Sequence, residues 1–275
     1  MRKEDTQAHP LLDEPLEQLI KRVPELKGIR KAASSQTLST ILGKTGENVD
    51  KFFDNFVDVI AQEEIRQERW SKSQVVHDNY LILRHGSGSQ ARIEEFRMDE
   101  KGKRLERVGL DKGFFVTSGF ALSCVYFSRL FQWDSRFQYL GDQTIGGRDA
   151  YVVAFAELPG ARLPVTLRGP RGTPVHMLLQ GVAWIDAASF QILQIRSDIL
   201  TPHPQVGLEE LTTKVRFSQV RLPDGGVPLW LPRDANVQVK LSKVLDLTFQ
   251  ASFQNLHRYK NYRPYRVSAR IAAPQ

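Results

Sequence analysis

The chain predicts an α+β fold: one large curved antiparallel sheet with helices packed on its concave, apolar side, preceded by a short helical N-terminal segment. Three observations predict it. Near the C-terminus Ala235, Val237, Val239 and Leu241 alternate with Asn236, Gln238, Lys240 and Ser242, and then Leu245, Leu247, Phe249, Ala251 and Phe253 alternate with Asp246, Thr248, Gln250, Ser252 and Gln254. Such period-two patterning makes one face apolar and the other wet, as in an antiparallel sheet with one solvated face. Val49, Phe52, Phe53, Phe56 and Ile60 instead recur at helical spacing, with Asp50, Lys51, Asp54 and Asp58 on the opposite face. No β-α alternation at crossover spacing is present, which argues against a Rossmann sheet or a TIM barrel.

Taken in order, Leu16, Leu19, Ile20 and Val23 share a helical face that Pro24 terminates. Leu38, Ile41 and Leu42 begin another helix, which Gly43 and Gly46 are expected to break, and Asn48 is expected to cap the amphipathic helix that follows. From Ala61 the period turns to strand. Residues 79–85 (NYLILRH) and 91–98 (ARIEEFRM) flank Gly86-Ser87-Gly88-Ser89, a hairpin-type turn. The uncharged stretch 113–128 is shorter than the ~18–20 residues of a spanning helix and is interrupted by Thr117, Ser118 and Ser123, so it reads as buried. Strand-like runs follow at 138–140, 150–157, 182–186, 190–198 and 212–221, separated by turn signals such as Gly146-Gly147 and Pro223-Asp224-Gly225-Gly226. The last two strands are expected to pair as a hairpin around 242–244.

At 275 residues, 41% hydrophobic and 25% charged, the chain has the composition of a folded globule with a sizeable core. A single cysteine, Cys124, excludes an internal disulfide and a cysteine-rich zinc site. It sits in Ala121-Leu122-Ser123-Cys124, similar to a lipoprotein-processing tetrad but mid-chain, and is read as a small buried hydrophobe. The net charge of +7 suits an anionic partner, although the charge is mostly scattered. Acids follow Met1-Arg2-Lys3 at once and no signal-peptide pattern is read there, as in a chain whose leader has been trimmed.

HExxH, GxxxxGK, GxGxxG and GxSxG motifs are lacking, and no catalytic residue, metal site or cofactor is predicted. Ser87 beside His85 places a hydroxyl next to an imidazole, but a solvated hairpin tip is the preferred reading. His77 and His85 share a strand face, yet roughly 24 Å of extended chain separates them, too far to share an ion. His9, His176, His203 and His257 are isolated in sequence. The basic and aromatic run 257–266 is read as an end strand with snorkelling side chains, not a nucleic-acid element, so nucleic acid is not an expected partner. Residues 157–174 carry four prolines with Arg162, Arg168 and Arg171, and read either as a solvated connection or as a mobile basic flap that meets an anionic headgroup.

Four phrases remain: Gly181-Val182-Ala183-Trp184-Ile185-Asp186, then Phe190-Gln191-Ile192-Leu193, then Trp230-Leu231-Pro232, and His257-Arg258-Tyr259 leading into Tyr262-Arg263. Together they resemble the lipoprotein-carrier superfamily of diderm bacteria, the outer-membrane lipoprotein-sorting (LolA/LolB) type, over roughly 48–271. The resemblance implies an unclosed β-barrel whose helical lid encloses an apolar cavity, without metal or catalytic residues, in a periplasmic or outer-membrane-associated location. It divides the chain into a helical extension, 1–47, and an antiparallel β domain with lid helices, 48–275. The function it implies is a non-catalytic binding or carrier protein of the cell envelope holding a lipid, an acyl chain or a lipidated partner, with transient contact to a membrane surface. Phe53, Phe56, Phe114, Phe120, Tyr126, Phe127, Val237, Val239, Leu247, Phe249 and Phe253 are the candidate ligand-binding residues, with Arg162, Arg168 and Arg171 as headgroup or partner contacts. The largest pocket is expected between the concave sheet face and segments 49–60 and 113–131. The alternative is an envelope sensor or protein-interaction module whose cavity its own side chains fill. A small hydrolase ranks third, because the spacing supplies no nucleophile and base.

Overall fold

In the computed structural model, which describes residues 2–32, 37–69, 72–86, 92–105, 119–162, 165–168, 174–223, 225–242 and 251–265, the alternating segments become strands. These are β1 (Arg30–Lys31), β2 (Val59–Arg69), β3 (Lys72–His85), β4 (Arg92–Met98), β5 (Ser135–Ile145), β6 (Arg148–Glu157), β7 (Val165–Arg168), β8 (Pro174–Met177), β9 (Leu179–Asp186), β10 (Ile192–Ile199), β11 (Leu208–Val220), β12 (Leu229–Leu241) and β13 (Ala251–Pro264). Eleven of them make one antiparallel sheet in the order β1-β5-β6-β9-β10-β11-β12-β13-β2-β3-β4, while β7 pairs with β8 alone. The outermost strands β1 and β4 do not pair with each other, so the curved sheet stays open.

Two meanders build this order. The run from β5 to β13 is one, and β2-β3-β4 joins it by pairing β2 with β13. The expected end strand is therefore a central one: β13 lies between β12 and β2, with His257 and Tyr259 buried. Sequence patterning shows which face a residue takes but not that an early meander adds to a late strand. Pro264 sits at the strand terminus opposite Val59, where a missing N–H costs little.

The inward row Ala235, Val237, Val239 and Leu241 is buried, as the alternation requires. The tight hairpin around 242–244 is not formed, because Leu241 pairs with Ala251 and Val239 with Phe253; the expected strand residues 245–250 lie outside the described ones. A hairpin centred at 243 would have set residue 245 opposite Leu241, six positions away from the observed partner. An even slip preserves every face, so period two fixes the faces and leaves the register open. Similarly, the run expected from 190 starts at Ile192, because Phe190 stands in the preceding turn at φ 58°.

Strands β6, β9 and β10 are buried almost throughout because both faces are covered. Val153, Phe155, Ala183, Ile185 and Ile195 point to the inner face, and Val152, Ala154, Val182 and Trp184 to the outer. On the outer face lies the N-terminal segment, with α1 (Lys3–Thr6), α2 (Leu16–Arg22) and the 3₁₀ turns Leu11–Asp13 and Pro24–Leu26. It buries Leu11, Leu12, Leu19, Val23 and Leu26 there. At ~1.5–3 kcal/mol per buried aliphatic side chain, this burial supplies on the order of 10 kcal/mol against the entropy lost in ordering the segment. Polar ties add register: Leu11 N–H donates to Gln180 Oε1 at 2.7 Å, Gln143 Nε2 donates to the Glu25 carbonyl at 2.9 Å, and Arg30 of β1 pairs with Asp142 of β5.

On the inner face, α3 (Thr37–Asn55) is one continuous helix, not two broken at Gly43 and Gly46 and restarted at Asn48. Each glycine costs about 1 kcal/mol relative to alanine, less than the packing of the helix supplies. Gly46 permits a close approach: a Cβ there would lie 2.6 Å from Gln132 Nε2, 2.8 Å from Arg129 Cγ and 3.0 Å from the Phe127 carbonyl. Asn48 is no cap, and its amide donates to the Ser189 carbonyl at 2.8 Å. Gly43 faces open space. In urea unfolding Gly43→Ala is therefore expected to stabilise the protein by up to about 1 kcal/mol, whereas Gly46→Ala is expected to destabilise it by about 1–3 kcal/mol through overpacking. Equal effects of the two substitutions would contradict this packing.

Candidate functional site

The inner face gathers most of the residues singled out from the sequence. Phe56, Phe120, Tyr126, Phe127, Val237, Val239 and Phe253 belong to one buried apolar cluster, and Phe53 packs against it from α3. The 3₁₀ segment Ala121–Phe127 supplies the densest part, with Tyr126 stacked on Phe155 at 5.5 Å and Phe127 against Phe137 at 5.2 Å. Phe120 meets the rings of His257 at 4.9 Å and Tyr259 at 6.5 Å. Cys124 is buried here, and burial pushes its thiol up to about 12. Phe114, Leu247, Phe249, Arg171 and Ser87 lie outside the described residues, and Arg168 is described only as part of β7.

Where the cover of α3 ends, a cleft of about 630 Å³ opens between Asn48–Asn55 of the helix and the ends of β10, β11 and β12. Phe52, Phe217 and Leu229 form its apolar wall and belong to, or pack against, the inner cluster. Val227, 69% exposed, and Trp230 extend this wall outward. Lys51, Arg148, Arg216 and Arg233 stand at the rim. Arg148 pairs with Asp186 at 2.6 Å, while Arg216 and Arg233 share the single carboxylate of Asp234 at 2.6 and 2.9 Å. Two guanidinium groups on one carboxylate leave positive charge at the rim. Trp230 is fixed by its indole N–H donating to the Ile192 carbonyl at 2.5 Å, with the Arg148 guanidinium 5.8 Å from its ring. The Ala121–Phe127 segment does not line this cleft, and Arg162 stands at the other end of the β5–β6 pair, its guanidinium on Asp134 at 2.8 Å.

A polar cluster missed in the sequence lies on the inner face of β2, β4 and β13. Arg97 grips the Glu63 carboxylate with two donors, Nη2 at 2.7 Å, and His257 Nδ1 lies 2.8 Å from the same carboxylate. All three are buried. Burial alone would raise the Glu63 pKa, but the Arg97 charge and the hydrogen bonds outweigh it and hold the carboxyl at about 2. For His257 burial wins, and its pKa falls despite Glu63, so the ring is neutral and Nδ1–H is the donor. That leaves His257 Nε2 and the Tyr259 hydroxyl buried without hydrogen-bond partners among the described residues.

Nearby, Glu95 holds the cover in place. Its carboxylate accepts the Ala121 and Leu122 N–H groups at 3.0 Å each, and the Tyr80 hydroxyl donates to it while accepting Phe120 N–H at 3.3 Å. A Cβ at Gly119 would collide with the Glu95 side chain, so that residue must be small. Glu63 occupies the same parity as Val59, Ala61 and Ile65 on β2, and a charge at apolar parity is the signal that could have marked the cluster. His85 Nε2 sits 3.0 Å from Glu94 at the exposed end of the β3–β4 ladder. The described residues contain no group of three or more His, Cys, Asp or Glu placed to hold a metal ion.

At the far end of β6, Glu157 is buried and accepts Leu179 N–H at 2.6 Å. Burial raises its carboxyl from the ordinary 4.5 to about 8. The folded state therefore binds this proton more tightly than the unfolded chain. The stabilisation it brings is complete below about pH 4.5 and is lost as pH rises through about 8. Unfolding free energies from urea titrations across this window are expected to fall with pH in the wild type by up to about 1.4 kcal/mol per pH unit, and to lose that slope in Glu157→Gln. An unchanged slope in the variant would contradict the assignment.

No protein-family model matches the chain, and no curated protein matches it. Its solved structural neighbours are distant. A DUF1329 family protein from Desulfovibrio piger is 13% identical with a TM-score of 0.43, covering 82% of this chain and 92% of the neighbour. A structure described as an outer membrane lipoprotein-sorting protein domain from Vibrio parahaemolyticus is 12% identical with a TM-score of 0.43, covering 80% and 91%. A LolA superfamily protein from Nitrosomonas europaea is 14% identical with a TM-score of 0.37, covering 88% and 99%.

Proposed function

We propose that this chain is a non-catalytic binding protein of the cell envelope that holds an amphiphile, either an acyl chain with an anionic head or the acyl group of a lipidated partner. The observation that carries this reading is the cleft: its apolar wall of Phe52, Phe217 and Leu229 continues into the inner core, beneath a rim of Arg148, Arg216 and Arg233. Its 630 Å³ falls within the range of small-molecule sites. Each buried methylene is worth about 0.8 kcal/mol, so a tail against that wall needs no bond chemistry to be retained. The rim supplies planar donors suited to a carboxylate or phosphate head. On this reading residues 48–275 form the binding domain and 1–47 its brace, and the inner aromatics Phe53, Phe56, Phe120, Tyr126 and Phe127 are packed core behind the cleft wall.

A second reading, an interaction module without a bound lipid, is favoured by the burial of Phe120, Tyr126 and Phe127, which fill the inner face themselves. Uptake separates the two. The wild type is expected to bind a fluorescent fatty acid. Val227→Asp, at an exposed position of the wall, is expected to weaken binding at least tenfold with unchanged circular dichroism. Arg216→Ser/Arg233→Ser is expected to retain the neutral alcohol analogue and lose preference for the acid. Absence of uptake by folded wild-type protein would sink the carrier reading and leave the interaction module.

A further inference from the structure

Gln194 lines the cleft near the start of β10 and is only 7% exposed, yet its carboxamide makes no hydrogen bond to any described residue. Other buried carboxamides are engaged within the protein: Gln180 Oε1 accepts Leu11 N–H at 2.7 Å, and Gln67 Oε1 accepts Gln74 Nε2 at 2.6 Å. A carboxamide offers two N–H donors and a carbonyl acceptor, and leaving them unmade at a nearly buried position is unfavourable. The cleft therefore presents a group that needs both an acceptor and a donor from what enters it.

The neighbours of Gln194 decide which chemistry suits it. Gln194 stands opposite Arg216 in the β10–β11 ladder, and Arg216 opposite Asp234 in the β11–β12 ladder, so the three form one row across the strands. Arg233 reaches the same Asp234 carboxylate, and two guanidinium groups on one carboxylate leave a single positive charge beside the amide. Each guanidinium uses only its Nε there, so the Nη groups of both are without partners among the described residues. The other rim cations are matched, Arg148 by Asp186 and Lys51 by Glu47, and no acid lines the cleft among the described residues. A zwitterionic head brings no net charge to this row and sets its own cation against the guanidinium groups. A carboxylate balances the charge but offers the amide carbonyl no donor. A phosphodiester that also carries hydroxyl groups does both: its anionic oxygens accept the Nη donors, while an O–H donates to the Gln194 carbonyl and accepts from the amide N–H. We infer that the cleft selects an amphiphile whose head is a hydroxyl-bearing phosphodiester, of the glycerol or sugar class. The inference rests on the amphiphile reading of the cleft and names the head that reading leaves open.

Displacement of a fluorescent fatty acid from the full chain by single-chain competitors of one tail length, each below its micellar concentration, tests the head. Dodecyl phosphoglycerol is expected to compete at least fivefold better than dodecyl methyl phosphate, which has the same charge and no hydroxyl, and at least tenfold better than dodecylphosphocholine. Gln194→Leu, which keeps the volume and removes the amide, is expected to bind dodecyl methyl phosphate as the wild type does and to lose the preference for the phosphoglycerol. Equal competition by the three heads in the wild type, or an undiminished preference in Gln194→Leu, would overturn the assignment while fatty-acid uptake remains. The wild-type series decides even if the variant does not fold. Glyceryl methyl phosphate, which has the head and no tail, separates a lipid from a free phosphodiester: it is expected to compete far more weakly, and competition equal to that of the tailed compound would also overturn the assignment. Absence of fatty-acid uptake by folded wild-type protein would overturn the amphiphile reading together with this one.

Discussion

An open antiparallel sheet with an apolar inner row must be covered, and the rest of this structure depends on how that cover is attached. Two elements do it: α3 and the 3₁₀ segment Ala121–Phe127. A 3₁₀ segment of seven residues has little stability of its own. Here its first free N–H groups are satisfied by the Glu95 carboxylate, which is braced in turn by Tyr80. The aromatic side chains of the segment then fill the middle of the sheet, and α3 crosses the rest until Asn55. The cleft marks the place where this cover runs out, between the end of α3 and the loops of β10–β12.

The sheet has two halves of different chemistry. In β6, β9 and β10 both faces are dry, held between the cover and the N-terminal segment. In β2, β4 and β13 the inner face contains the Glu63–Arg97 ion pair with His257 beside it. A buried pair of this kind adds little net stability, but removing one partner strands a charge and costs about 3–5 kcal/mol. Such a pair tolerates few alternative registers of the β2–β13–β12 ladder. The ionic cluster sits on the β2–β13 ladder, where the two meanders meet.

Much of the architecture was legible because burial leaves a period in the sequence. The alternation through Ala235–Leu241 placed the inner face correctly, and the turn signal Gly86-Ser87-Gly88-Ser89 placed the β3–β4 hairpin. Four features were not legible, each for a physical reason. Alternation is blind to an even slip, so the β12–β13 register escaped it. Gly46 reads as a helix breaker in isolation, and only the nearness of Gln132 and Phe127 shows that it is there for close packing. The ionic cluster is assembled from strands far apart in sequence, β2, β4 and β13, so no local motif could reveal it, although Glu63 at apolar parity was a visible anomaly. The inner face was legible in apolar residues such as Phe56, Phe120, Tyr126, Phe127, Val237 and Val239, but none of them lines the cleft. The cationic rim was not legible, since Lys51, Arg148, Arg216 and Arg233 converge only in the fold.

The central claim is that the cleft at the end of the cover holds an anionic amphiphile without transforming it. Native mass spectrometry of the protein purified from a diderm host reads this directly. The account predicts a fraction of molecules with the added mass of an intact amphiphile, recovered unchanged by solvent extraction and absent in Val227→Asp. A bare polypeptide mass in the wild type, with no adduct even after incubation with fatty acid, would contradict it.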